Sequence, residues 1–241
     1  GRGWPASAPQ PRRVVDSVPT VSLGDLVADP GVHTGNCAEK LILPMEEAPA
    51  NAVPILEGRQ IHRYRCDPPT KVLRLDYAPS DREYYTIRDW QRYDSALFLL
   101  RQTATRPIVG PREGAVYFRN SLLALYDPAS HAGSPLSDHH ILYVVALLNS
   151  ELMGQLYAER VHEARQRSFP QVKVSALRRL PIRRLDLGNR SDAALHRELV
   201  SLTRQILDAA RGEDKTEFDR LDLRIESLVR RAYGMEPRDP M

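Results

Sequence analysis

The side chains of this 241-residue sequence that are best suited to bind another molecule are its arginines. Thirty of the 34 basic residues are arginine; residues 59–119 carry a net charge of +5 and residues 160–190 a net charge of +7, with acidic segments around them. A guanidinium is a planar fork of N–H donors that matches phosphates and the edge of guanine. Two such stretches that meet in the fold would form a surface for a polyanion such as nucleic acid. An arginine-rich codon usage would explain the ratio of Arg to Lys, but not the alternation of charge.

The basic stretches contain the residue types that read bases or hold phosphates. In the major groove, arginine pairs with guanine and glutamine with adenine. The candidate DNA-binding residues in or beside the first stretch are Arg59, His62, Arg63, Tyr64, Arg101, Gln102, Thr103, Arg106, Arg119 and Asn120. Those of the second stretch are Arg165, Arg167 and Lys173, for which phosphate contact is the expected role.

Structural roles remain open for some of these candidates. Gly58 permits a tight turn before Arg59, and Tyr64 offers a ring that could stack on a base. Arg59 could instead pair with Glu57, and Asn120 could satisfy backbone groups. The sequence leaves the functional and the structural interpretation of these residues about equally supported.

No motif for catalysis is recognisable in the sequence. A Gly-rich phosphate loop, G-x-S-x-G and H-E-x-x-H are all missing. The segment Asp67-Pro68-Pro69-Thr70 is similar to the turn with which amino-methyltransferases hold a flipped base, but Thr70 stands where the stacking ring belongs. We therefore expect a plain Pro-Pro turn there. The spacing of Cys37 and Cys66 fits neither a zinc site nor a disulfide framework, so we expect no metal and no cofactor in this chain.

The elements that must position these residues begin with a β-rich half. Residues 1–20 are rich in Pro, Ala and Ser without periodicity, so we expect a linker or tail. From Val21 to Tyr126, short apolar runs alternate with turn residues, which is typical of strands. The predicted strands are Lys40–Leu43, Lys71–Tyr77, Ala96–Gln102, Pro107–Val109 and Ala115–Tyr126.

A long core helix is predicted to follow the strands. It runs from Ser137-Asp138 to about Arg160, because its apolar residues recur with helical spacing. Asn149 and Ser150 interrupt the apolar face, and we expect them to form buried hydrogen bonds with a neighbouring loop. The run Val172–Val174 is a further candidate strand.

The C-terminal residues are predicted to form an antiparallel pair of helices. The first begins at Ser191-Asp192 and ends at Gly212, and the second ends at Tyr233-Gly234. Their apolar stripes are expected to pack against their own domain. The predicted fold class is α+β: a β-rich domain with a long core helix over residues 21–190, a helical hairpin over residues 191–235, and a tail over residues 236–241.

Several phrases, in order along the chain, resemble those of a known family. They are Thr34-Gly35-Asn36, VPILEGRQIHRY at residues 53–64, LRQTATR at 100–106 with Ile108–Val109, VYFRNSLL at 116–123, LLNSE at 147–151, SFPQVKVSALRRLP at 168–181, and Tyr233-Gly234-Met235. Together they resemble the TaqI-like C-terminal specificity domain. That domain is the target-recognition part of type IIG restriction-modification enzymes and of related phage-defence adenine-specific DNA methyltransferases.

The resemblance implies a domain that reads double-stranded DNA in the major groove and selects the sequence whose adenine is flipped out and methylated. The implied partners are double-stranded DNA and a methyltransferase domain or subunit, and S-adenosylmethionine would be bound by that associated domain. The sequence lacks the methyltransferase domain that normally precedes a specificity domain. We therefore expect a fragment or a separate recognition subunit without turnover of its own.

Two further expectations complete the interpretation of the sequence. No apolar run approaches the ~18 residues needed to span a bilayer, so we expect a cytoplasmic protein that does not contact a membrane. The alternative function is that of a protein-docking module, whose C-terminal helices hold a methyltransferase or nuclease subunit.

Overall fold

A computed structural model describes residues 15–102, 104–131, 133–160 and 174–236 of the chain. Short strands dominate the part before residue 127, and helices dominate the part after residue 140. The fold class is therefore α+β, as the sequence predicts.

Twelve strands fall within the described residues. They are β1 (Thr20–Ser22), β2 (Val27–Ala28), β3 (Ile42–Pro44), β4 (Ala52–Leu56), β5 (Ile61–His62), β6 (Arg65–Cys66), β7 (Lys71–Arg74), β8 (Ala96–Arg101), β9 (Val109–Pro111), β10 (Tyr117–Phe118), β11 (Leu122–Tyr126) and β12 (Pro181–Arg183). One sheet has the order β10-β4-β7-β3, with β10 parallel to β4 and the other pairs antiparallel. A second, antiparallel sheet has the order β2-β11-β8-β9, and β1–β12 and β5–β6 form separate pairs.

The second sheet is the middle layer of the domain, because both of its faces are buried. Along β8, Phe98 and Leu100 pack in the core that includes the helices, whereas Leu99 packs in the core between the two sheets. Along β11, Leu123 faces the helices and Ala124 faces the other sheet. Strands that are buried on both faces consist of continuous apolar runs, which explains the sequence ALFLLR of β8.

Seven helices lie within the described residues. They are α1 (Ala38–Leu41), α2 (Trp90–Asp94), α3 (Ile141–Asn149), α4 (Glu151–Arg160), α5 (Val174–Arg178), α6 (Arg190–Arg211) and α7 (Lys215–Ala232). Helix α6 begins slightly earlier than predicted, because the side chain of Asn189 accepts hydrogen bonds from the first backbone N–H groups of the helix. Gly212 follows its last residue, and Tyr233-Gly234 ends α7, both as predicted.

The apolar stripes of α6 and α7 pack against their own domain, which confirms that prediction. Leu199 and Ile206 of α6 and Ile225 and Val229 of α7 are buried in the same core as the helix-facing side chains of β8 and β11. The core therefore continues across the predicted domain boundary near residue 190.

The single helix predicted from Ser137 to Arg160 is wrong, because the segment forms α3 and α4, which are bent by 66° relative to each other. Helix α3 begins only after His140, whose side chain accepts a hydrogen bond from the backbone N–H of Leu142. At the bend, Ser150 has an extended backbone, and its hydroxyl accepts a hydrogen bond from the N–H of Met153 at 3.1 Å. The apolar pattern continues across this bend, so periodicity alone predicted one helix.

Asn149 and Ser150 form buried hydrogen bonds, as the sequence predicts, but the partners are a strand for Asn149 and nearby residues of the same segment for Ser150, not a neighbouring loop. The side-chain amide of Asn149 donates to the carbonyl oxygen of Val109 at 2.9 Å, and its oxygen accepts from the N–H of the same residue at 2.9 Å. These two bonds fasten the end of α3 to β9 in the middle sheet.

Most of the predicted strands differ in their bounds from the observed ones; for example, β7 ends at Arg74 instead of Tyr77, and β9 runs over Val109–Pro111 instead of Pro107–Val109. Residues 38–41 form the short helix α1, so the strand predicted at Lys40 begins only at Ile42. The run Ala115–Tyr126 is divided into β10 and β11 by residues 119–121. The strand predicted at Val172–Val174 lies mostly outside the described residues, and Val174 itself begins α5.

No single helix of the described residues is long and apolar enough to cross a membrane. Helices α3 and α4 together reach the necessary length and composition, but they are bent, and α3 lies in the core.

Candidate nucleic-acid interface

Three separate segments of the chain meet at one open depression of about 330 Å³. They are the turn after β4, the end of β8 and the link between β10 and β11. The residues that line the depression are Glu57, Gly58, Arg59, Arg101, Arg119, Asn120 and Ser121. The fold thus brings together Arg59, Arg101, Arg119 and Asn120, four of the predicted DNA-binding residues.

Ser121 holds the three segments in place. Its hydroxyl accepts a hydrogen bond from the backbone N–H of Gly58 at 3.0 Å, and its carbonyl oxygen accepts one from the N–H of Gln102 at 2.9 Å. A Cβ atom at Gly58 would lie 3.3 Å from that carbonyl oxygen. The predicted tight turn is present as a 3-10 turn over Gly58–Gln60, but Gly58 does not have a left-handed backbone, so the close approach of Ser121 is what favours a glycine here.

The carboxylate of Glu57 organises the cations around the depression. Arg119 Nη1 donates to Glu57 Oε1 at 2.8 Å, Lys71 Nζ lies 3.1 Å from Oε2, and Arg59 Nη2 lies 3.5 Å from Oε2. Burial alone would raise the pKa of Glu57, but the hydrogen bonds from Arg119 and Lys71 outweigh it, and the pKa lies below its usual value. Glu57 is therefore ionised at neutral pH and holds the cations in position.

Arg101 has no such partner. Its Nε–H is buried, and the described part of the chain offers it neither an acceptor nor a carboxylate. Arg119 is only partly engaged, because Nη2 donates to Thr34 Oγ1 at 3.3 Å while its buried Nε–H also lacks an acceptor among the described residues. Buried donors in folded proteins are nearly always paired, and the Nε–H groups of Arg63, Arg74 and Arg106 also lack a hydrogen-bond acceptor among the described residues. Arg101 and Arg119 are the two of this group that line the depression.

The comparisons with known proteins agree with a role in target recognition. The family model of the TaqI-like C-terminal specificity domain matches residues 53–182, which is more than half of the chain. The chain belongs to this family. A specificity domain is the part of a restriction-modification system that recognises the DNA target. A search of curated proteins found no match.

A solved structure shares the fold of this specificity domain. It is that of the type IIL restriction-modification enzyme MmeI in complex with DNA, with a TM-score of 0.53 and 11% sequence identity. The similarity covers 93% of this chain and 35% of that chain, so the specificity domain spans about a third of the length of MmeI.

The specificity domain places Arg63, Tyr64 and Arg106 away from the depression. Arg63 Nη1 donates to Asp222 Oδ2 of α7 at 2.9 Å, and Arg63 Nη2 donates to Oδ1 of the same carboxylate. Burial would lower the pKa of the Arg63 guanidinium, but the hydrogen bonds to Asp222 raise it above its usual value. Arg106 Nη2 donates to the carbonyl oxygen of Asn149 at 2.6 Å. These arginines join the β-rich half to the helices.

Tyr64 is buried, so the predicted stacking of its ring on a base is not supported. Its ring packs edge-on against Phe218 of α7, with the ring centroids 6.1 Å apart. Together with Arg63 it forms the turn between β5 and β6, where its backbone has a φ of 62°. Left-handed backbone is uncommon outside glycine, and the packing of the ring holds it here.

His62 and the Asp-Pro-Pro-Thr segment form a local polar cluster. His62 Nε2 lies 2.8 Å from Asp67 Oδ2, and Arg65 Nε lies 3.1 Å from Asp67 Oδ1. Thr70 Oγ1 accepts hydrogen bonds from Arg59 at 3.1 Å and from Gln60 at 3.2 Å. The segment thus supports the neighbouring β5–β6 hairpin and the turn that carries Arg59.

Contact with DNA stays a prediction for every residue that the sequence analysis named, including those at the depression. Gln102 lies beside Arg101, with its side chain half-buried. The predicted contacts of four residues fall outside the described part of the chain: Thr103, Arg165, Arg167 and Lys173.

The sequence analysis missed Lys71 as a part of the site, because it begins a strand and does not stand out by type. Ser121 is similar in type to Arg119 and Asn120, which it directly follows, and the sequence already groups it with these two candidates.

Proposed function

We propose that this chain selects the DNA sequence at which an adenine-specific DNA methyltransferase acts, within a type IIG restriction-modification or phage-defence protein. The convergence of Arg59, Arg101, Arg119 and Asn120 on one open depression carries the proposal. Polar and cationic side chains from three distant segments form this surface, and such side chains suit phosphates and base edges.

The methylating chemistry belongs, in this proposal, to an associated methyltransferase domain or subunit that binds S-adenosylmethionine. Membership of a family of specificity domains supports this division. The chain spans only about a third of MmeI, which leaves room in such enzymes for catalytic parts elsewhere. MmeI was solved in complex with DNA, which supports double-stranded DNA as the partner of this chain.

The docking alternative is less well supported. The apolar stripes of α6 and α7 lie in the core of their own domain, so they are not available to hold a second subunit. Docking would have to use the polar outer surface of the two helices.

The test is salt-dependent binding of the purified chain to random duplex DNA, followed by selection of bound sequences from a randomised pool. We expect affinity that falls steeply with salt and an enriched motif of several base pairs. Absence of binding at low salt would contradict recognition by the isolated chain.

A pair of double variants locates the interface. Arg59→Gln with Arg101→Gln removes two cations from the depression and should lower the affinity about 100-fold, since each charged contact contributes about ten-fold. Arg197→Gln with Arg204→Gln removes two exposed cations from α6 and is the matched control. Equal loss of affinity in both double variants would contradict this placement of the interface.

A further inference from the structure

Arg101 differs from the other arginines whose Nε–H group is buried without a hydrogen-bond acceptor among the described residues. The terminal nitrogens of Arg63, Arg106 and Arg119 donate to Asp222, to the carbonyl oxygen of Asn149, and to Glu57 and Thr34, respectively. Arg74 Nε lies 3.4 Å from a carboxylate oxygen of Asp76. Arg101 lines the depression, and its guanidinium has neither a hydrogen-bond acceptor nor a carboxylate partner among the described residues.

The balance of charge indicates what kind of acceptor fits there. Arg59, Arg101 and Arg119 line the depression together with one carboxylate, that of Glu57, whose two oxygens already accept from Arg119 and from Lys71 beside the depression. Three lining cations against one anion leave a surplus of two positive charges, and Lys71 adds a third next to them. The edge of a base is uncharged and would leave this surplus in place, whereas a phosphate would reduce it.

Additional donors face the same space. The hydroxyl of Ser121 accepts from Gly58, so its own hydrogen remains free to donate. The side chain of Asn120 lines the depression beside it, with Nδ2 3.4 Å from His33 Nδ1. An oxyanion with several oxygens can use such a set of donors from different directions.

We propose that the depression binds one backbone phosphate of the target DNA, with Arg101 as the contacting residue and Glu57 as a positioning residue that orients Arg119. This inference rests on the proposed function and assigns the ligand of that same site. It places Arg101 among the residues that fix the register of the duplex and contribute affinity, and it assigns the choice of sequence to other residues.

The first test compares Arg101→Gln with the wild-type chain. The variant should bind every duplex about ten-fold more weakly, and the slope of log affinity against log salt should fall by about 0.9, the value for one phosphate. The motif selected from a randomised pool should stay the same. Arg204→Gln, on the exposed surface of α6, is the control for loss of one charge.

A scan of single methylphosphonates, which neutralise one backbone phosphate at a time, locates the contact. One phosphate should be found whose neutralisation weakens binding of the wild-type chain. Neutralising the same phosphate should leave the affinity of Arg101→Gln unchanged, because that variant has already lost the contact. Arg101→Lys keeps the charge and should retain most of the affinity, so it tests the site even if the glutamine variant is unstable.

The outcomes separate this inference from the proposed function. A wild-type chain that fails to bind DNA would contradict both. Wild-type binding with a changed motif in Arg101→Gln would show that Arg101 reads a base, and unchanged affinity would show that the depression does not contact DNA. Either result would overturn the phosphate site while leaving target recognition intact.

Discussion

The domain contains two groups of arginines that look alike in the sequence and differ in their surroundings. Arg59 and Arg101 lie at the open depression, while Arg63 and Arg106, a few residues further along the same two segments, bond to the helices. Each segment thus contributes one arginine to the depression and one to the contact between the β-rich half and the helices. The difference lies in the partner that the fold places beside each guanidinium, which the spacing of arginines does not reveal.

The largest effect is expected from Arg63→Met, which leaves Asp222 and Glu226 without their cation. Loss of one partner from a largely buried ion pair should lower the free energy of unfolding by about 3 kcal/mol, because a charge remains in a poorly solvated place. Arg59→Met, at an exposed side chain, should change it by less than about 0.5 kcal/mol. Urea denaturation of both variants checks this, and equal losses would remove the distinction between the two groups.

Glu226 makes the stability of the contact between the β-rich half and the helices depend on pH. Burial raises the pKa of Glu226 to about 7, although its side chain accepts a hydrogen bond from the backbone N–H of Glu151 at 2.6 Å. In the folded state Glu226 therefore keeps its proton up to about pH 7, whereas in the unfolded state it releases the proton near its ordinary pKa of 4.5. The stability due to this proton is present below pH 4.5 and is lost as the pH rises through about 7.

Glu226→Gln should remove this dependence. Between pH 5 and pH 7.5 the wild type should lose about 2 kcal/mol relative to the variant, as expected from a shift of this size. Thermal or urea unfolding across that range measures the difference. Parallel curves for the two proteins would show that Glu226 is ionised throughout.

The smallest effect is expected from Glu57→Gln, which removes the one carboxylate of the depression. The free energy of unfolding should fall by about 1 kcal/mol, because the surrounding cations then repel one another. Affinity for DNA at low salt should rise a few-fold, because the site gains a positive charge. A fall in affinity with unchanged stability would show that the positioning of Arg119 by Glu57 outweighs the gain of positive charge.

Much of the fold follows from local patterns, but the bend between α3 and α4 does not. The strands that are buried on both faces and the C-terminal pair of helices have apolar patterns from which their secondary structure can be predicted. The bend depends on distant contacts: Asn149 bonds to β9, and the carboxylate of Glu226 accepts from the first N–H of α4. The two residues of each of these contacts are far apart in the sequence, so no local pattern can reveal them.

The residue types of the site were likewise predictable, whereas their exposure was not. Arg63 was a plausible DNA contact until its partner was known, and Asp222 lies 159 residues further along the chain. Only the fold shows that Arg101 faces a depression and that Arg63 faces a carboxylate.

The Arg63–Asp222 contact also sets the size of the unit that can be exchanged between related enzymes. The family match ends at residue 182, but Asp222 and Phe218, which hold the Arg63-Tyr64 turn, lie beyond it, and β12 pairs with β1 before its start. A chimera that grafts only residues 53–182 would cut these contacts at both crossover points. Engineering of new specificities should therefore move the segment from Thr20 to Tyr233 as one piece.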